Sequence, residues 1–130
     1  MDLYREEVME HYEHPRHQGE MQDPDYEGRD SNASCGDMIQ IQIRITNNNS
    51  KVKGKVEKVI SEVKWKGIGC AISNAAASKL SEWLIGKKWE TVKKMSEDQL
   101  VKEGIGFTVN PGRVKCLTLP VRVVKRVAKI

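Results

Sequence analysis

Long apolar runs are missing from this chain of 130 residues. Nothing in it approaches the ~20 consecutive apolar residues that a membrane span needs. The opening "MDLYREEVMEHYEH" is acidic and amphipathic, where a signal peptide would be basic and then apolar. A cytoplasmic protein with no membrane partner is the expectation. Aromatic residues make up only 5% of the chain, and the formal charge of +4 is modest. Basic residues mix with acidic ones except in "KVKGKVEK" and the closing "RVVKRVAKI". Without a stacking platform, nucleic acid is not expected as a partner. Cysteine is scarce as well: Cys35, Cys70 and Cys116 are odd in number and far apart, which excludes a secreted disulfide framework. In a reducing compartment such thiols serve metal, catalysis or packing.

What is present suits one folded domain over residues 1–130, with 38% hydrophobic and 31% charged residues. Residues 2–13 carry Leu3, Tyr4, Val8, His11 and Tyr12 at helical spacing, with Asp2 as cap and Pro15 as terminator. From His14 to Ser34 the chain is polar and rich in turn formers, which predicts a long surface loop. Ile39, Ile41, Ile43 and Ile45 then alternate with Gln40, Gln42 and Arg44, the period of a strand with one wet face. Val52–Val56 and Val59–Trp65 supply two more extended segments.

After "GIG" the helical period returns with Ile72, Ala76, Leu80, Trp83 and Leu84, ending at Gly86. One or two short helices are expected over 90–103, with Ser96 and Gln99 spaced as a capping box. A last helix carries Leu117, Val121, Val124 and Ala128, with Pro120 placed in its first turn. The fold class is therefore α+β: an N-terminal helix first, then a three-stranded antiparallel sheet with helices packed on one face.

Each cysteine falls at a junction between elements. Cys35 precedes the first isoleucine strand, Cys70 the helix after "GIG", and Cys116 the last helix. Helix N-termini favour the thiolate, and Lys115 and Arg113 add positive charge beside Cys116. Burial as three small hydrophobes is the competing account. Against it stand the glycines in "SCGD" and "GIGCA" and the aspartate two residues from Cys35. Three thiolates and Asp37 make four ligands, the number that tetrahedral zinc or a [2Fe-2S] cluster requires. A carboxylate holds iron less firmly than sulfur does, so such a site suits temporary storage.

These motifs resemble the iron–sulfur cluster assembly scaffolds of the IscU type and the N-terminal module of NifU. The resemblance runs from "YREEVMEHYEHPRHQG" through "CGDMIQIQI" and "GIGCAISNAAASKLSEWLIGK" to "RVKC". It implies that Cys35, Asp37, Cys70 and Cys116 hold a nascent [2Fe-2S] cluster or Zn2+, with the aspartate letting the cluster leave. It also implies a cysteine desulfurase as sulfur donor, recipient apo-proteins for the cluster, and an assembly role in place of enzymatic turnover. Among the thiols, Cys116 is assigned as sulfur acceptor, with Lys115 auxiliary. Lys115 stands where IscU proteins usually have histidine, a SufU-like feature, and "VNPGRVK" replaces the segment that a dedicated chaperone reads in many IscU proteins. The alternative is therefore a zinc-dependent sulfurtransferase partner of a desulfurase. Pairing of two chains as a homodimer stays open.

Other candidates carry less. His11, His14 and His17 recur every three residues, but Pro15 breaks the helix that would align them, which predicts surface or packing roles. Arg122, Lys125, Arg126 and Lys129 are expected on the wet face of the last helix, "AAAS" in tight helix packing, and Trp65, Trp83 and Trp89 in the core or its rim.

Overall fold

The computed structural model describes residues 3–32, 36–49, 56–107, 109, 112 and 114–128. Helix α1 (Leu3–Glu13) leads into strands β1 (Tyr26–Asn32), β2 (Asp37–Asn49) and β3 (Val56–Ile68). The helices α2 (Ala71–Leu84), α3 (Trp89–Lys94), α4 (Glu97–Leu100) and α5 (Val114–Val127) follow, with a widened turn over Val101–Ile105. The strands form one antiparallel sheet in the order β1-β2-β3.

The isoleucine alternation is what buries one face of this sheet. Ile39, Ile41 and Ile43 are buried, and their cross-strand partners set the layer beneath the helices: Tyr26 and Val63 beside Ile43, Gly28 and Trp65 beside Ile41. Helix α5 crosses β1 and β2 here, and α2 packs between α1, β3 and α5. Its small residues Ala75, Ala76, Ala77 and Ser78 are all buried, which lets the neighbours come close. A Cβ on Gly28 would lie 2.5 Å from Val127 Cγ2, so α5 rests almost on the β1 backbone. Trp65 and Trp89 lie in the core and Trp83 at its rim.

The expected sheet is present, with a different membership. β1 lies within the stretch that sequence reads as loop. Its residues alternate half-buried and exposed, but those facing the helices are Tyr26, Gly28, Asp30 and Asn32, so hydropathy gives no signal. The charged "YEGRDSN" sequence suits an edge strand, where charge discourages pairing with other chains. The expected extended segment at Val52–Val56 falls largely on 51–55, outside the described residues, and Val59–Trp65 lies within β3. Gln42, expected in water, is buried, because the segment before β1 crosses it: the Met21 N–H donates to Gln42 Oε1 at 2.8 Å.

The capping box forms as spaced, with the Gln99 N–H donating to Ser96 Oγ at 3.2 Å and the Ser96 N–H to Gln99 Oε1 at 2.9 Å. Pro120 is placed differently from expectation. α5 begins at Val114, so Pro120 sits in its second turn, inside the helix. Lacking an N–H, it leaves the carbonyl four residues back, that of Cys116, without its helical donor.

Candidate metal centre

Asp37 opens β2 directly opposite Asn32, the last residue of β1. It is buried, and its carboxylate is held from the α2 side. The Cys70 N–H donates to Oδ1 at 2.9 Å and the Ser73 hydroxyl to Oδ2 at 2.9 Å. Cys70 is the residue that precedes α2, in extended conformation, so the carboxylate sits at a helix N-terminus, where the dipole favours an anion. Gly69 makes this approach feasible. Its φ is +140°, and a Cβ there would lie 2.1 Å from Asp37 Oδ1.

The thiols converge on the same carboxylate. Cys70 Sγ lies 3.5 Å from Asp37 Oδ2 and 3.4 Å from Ser73 Oγ. Cys116 arrives from the first turn of α5. One ligand atom each from Asp37, Cys70 and Cys116 lies within 4.8 Å of the others, so the three could hold a metal ion. Cys70 is partly exposed and Cys116 is buried, and both are free thiols.

Sequence reasoning placed Cys116 in an electropositive setting that lowers its pKa, and the structure reverses that direction. Burial first, then hydrogen bonding and like charge from Cys70 and Asp37, push its thiol up to about 12. The helix end and the exposed Lys115 do not outweigh two acidic neighbours in a site shielded from water. The donor set fits a divalent cation on the same ground, since the crowding that keeps the thiol protonated becomes attraction once positive charge stands among the ligands.

Cys35 and Arg113 lie outside the described residues. The Gly36 N–H donates to the Asn32 carbonyl at 2.9 Å. The three histidines do not assemble. His11 is buried with Nδ1 2.8 Å from Ser78 Oγ, an oxygen that also accepts from the Arg16 N–H at 2.8 Å. His14 and His17 lie in the segment beyond α1, and no cluster of possible metal ligands among the described residues includes a histidine.

Two contributors escaped sequence reasoning. Ser73 is the third residue of α2, and its signal was the "CAIS" spacing that aims its hydroxyl back at the helix start. Asn32 is buried at the end of a strand that hydropathy missed, and no local pattern marks it.

The sequence matches the family described as NifU-like N terminal domain over residues 3–129. It is 30% identical over 119 residues to the iron-sulfur cluster assembly scaffold protein IscU of Haemophilus influenzae, covering 89% of this chain and 85% of that one. To the zinc-dependent sulfurtransferase SufU of Bacillus subtilis it is 29% identical over 133 residues, covering 90% and 83%. The fold superposes on a putative iron-sulfur cluster assembly scaffold protein for the SUF system from Fervidobacterium Islandicum AW-1 with a TM-score of 0.70, at 23% identity, covering 95% and 94%.

Proposed function

Because this chain belongs to the NifU-like N-terminal domain family, we propose that it is an iron–sulfur cluster assembly scaffold, acting as one domain over residues 1–130. A [2Fe-2S] cluster is built on it from desulfurase-derived sulfur and iron, then passed to apo-proteins. The observation that carries this reading is the meeting of Asp37, Cys70 and Cys116, distant in sequence, within 4.8 Å. Cys35 is the fourth ligand in this proposal. It lies two residues before Asp37 in the sequence.

Each side chain has a chemical task. Cys70, the more exposed of the two described thiols, faces the incoming iron or cluster with Asp37 behind it. Cys116 is the proposed sulfur acceptor, with Lys115 at the surface beside it. Its high pKa makes it a poor nucleophile until cationic charge reaches Asp37 and Cys70, so metal entry precedes sulfur transfer. Persulfide sulfur must gain two electrons to become bridging sulfide, which an external reductant supplies. Asp37 limits how tightly the product is held, because a carboxylate is the hardest donor in the set.

The test is anaerobic assembly with ferrous iron, cysteine and a cysteine desulfurase, followed by visible absorption and transfer to an apo-ferredoxin. The expected result is a sulfide-to-iron charge-transfer spectrum that decays as the ferredoxin signal grows. Absence of both removes the scaffold reading. Asp37→Ala is expected to lengthen the lifetime of the bound cluster in air and slow its release.

A second reading, a zinc-dependent sulfurtransferase partner, is favoured by the match to the Bacillus subtilis protein and by Lys115 in place of histidine before the last cysteine. It predicts stoichiometric zinc after purification and faster desulfurase turnover with no cluster formed.

A further inference from the structure

The end of β1, paired with Asp37, and the first turn of α5, which carries Cys116, are tied together by one buried amide. Asn32 uses both ends of its side chain. Its Nδ2 donates to the Lys115 carbonyl at 3.0 Å, and its Oδ1 accepts from Arg122 Nη2. Its own carbonyl accepts from the Gly36 N–H. One residue therefore joins Gly36, the neighbour of Asp37, to the residue next to Cys116 and to a cation two turns along α5.

Two further facts explain why this tie is needed. Pro120 removes the helical bond to the Cys116 carbonyl, so the first turn of α5 is less firmly held by its own ladder. Arg122 makes no ion pair among the described residues, and its buried Nε has no hydrogen-bond partner. A guanidinium held by a neutral amide in this way keeps its charge uncompensated. The amide that holds it belongs to Asn32, the strand partner of the Asp37 carboxylate.

We propose that Asn32 and Arg122 are positioning residues of the metal centre. Asn32 sets the separation between Asp37, its strand partner, and Cys116, and Arg122 orients Asn32 while offsetting the negative charge of the loaded site. The inference rests on the metal-site reading above and assigns to that site a supporting layer that no ligand motif contains. Outer partners of this kind change metal affinity by about 10–100-fold when removed.

The test is anaerobic titration of the full chain with Co(II), read by thiolate-to-cobalt charge-transfer absorbance, beside thermal unfolding of each metal-free protein. Asn32→Ala and Arg122→Met are expected to weaken Co(II) binding about tenfold or more and to lower the charge-transfer intensity per bound cobalt. Arg122→Lys, which keeps the charge and a donor, should recover most of both. Asn32→Asp keeps the Arg122 partner but loses the donor to Lys115, so its spectrum should resemble that of Asn32→Ala.

Unchanged affinity and spectrum in the variants overturn the proposal. So does a loss of affinity that merely follows the loss of metal-free stability while the spectrum per cobalt stays constant. A parent protein with no thiolate-to-cobalt band removes the site reading itself, and this inference with it.

Discussion

The carboxylate of Asp37 and the backbone N–H of Cys70 are joined by a hydrogen bond of 2.9 Å, which fastens the start of β2 to the start of α2. This contact puts a carboxylate beside a thiol in a place that neither strand nor helix would choose alone. Asp37 is buried, and the energy that keeps it there comes from the Cys70 N–H, the Ser73 hydroxyl and the α2 dipole.

Gly69 tests that contact sterically. Gly69→Ala forces a methyl to 2.1 Å from Asp37 Oδ1 on a backbone with φ of +140°, and should destabilise the protein by about 2–4 kcal/mol while impairing metal binding. Gly36→Ala meets no atom of the described residues within 4 Å and carries its backbone penalty at φ of +73°, about 1–2 kcal/mol. Denaturant midpoints of the two variants, measured side by side, check the order. Equal losses would mean that the Asp37 contact yields freely.

The raised pKa of Cys116 predicts sluggish chemistry in the metal-free protein. At pH 8 a thiol pushed up to about 12 stays protonated, so iodoacetamide should label the part-exposed Cys70 well before Cys116. Asp37→Asn, which removes one like charge, should speed labelling of Cys116 but leave the larger effect of burial. Peptide mapping by mass spectrometry reads both rates. Faster labelling of Cys116 than of Cys70 in the parent would contradict the geometry.

His11 predicts a pH dependence remote from the metal. Burial lowers its pKa below the ordinary 6.5, helped by Arg16 and Lys79 and opposed by Glu82 and Glu10. The unfolded chain then binds the proton more readily than the folded one. Stability from the neutral His11–Ser78 pair is complete above pH 6.5 and declines as pH falls from there toward the lower folded value. Urea midpoints between pH 8 and pH 5.5 should show this decline, and His11→Gln should flatten it. An unchanged slope in that variant would assign the effect to other groups.

The contact between α5 and β1 predicts a coupling. Gly28→Ala places a methyl 2.5 Å from Val127 Cγ2 and should cost about 1–3 kcal/mol. In Val127→Ala the same substitution should cost less, because the clash is gone. A double-mutant cycle with additive losses would show that α5 shifts freely over the sheet.

The isoleucine alternation, the small-residue helix α2, the capping box and the junction placement of Cys70 and Cys116 were all legible in the chain, since each is a local pattern whose period or spacing carries its own physics. β1 was not. Its inward residues are Gly28, Asp30 and Asn32, which are tolerated there because α5 closes on a glycine and because Asn32 and Asp30 find partners in Arg122 and Arg126. Pro120 misled for a related reason. Its place inside a helix is stabilised by burial, which no propensity scale includes.

By itself the sequence determined which side chains could serve as ligands, two described thiols and a carboxylate each set at the edge of an element, because residue type and local spacing suffice for that. Only the tertiary structure decided the direction in which the Cys116 pKa moves and the contacts of Asn32, Ser73 and Arg122. Those depend on distances between residues far apart along the chain, and electrostatics and hydrogen bonding respond to separation in space.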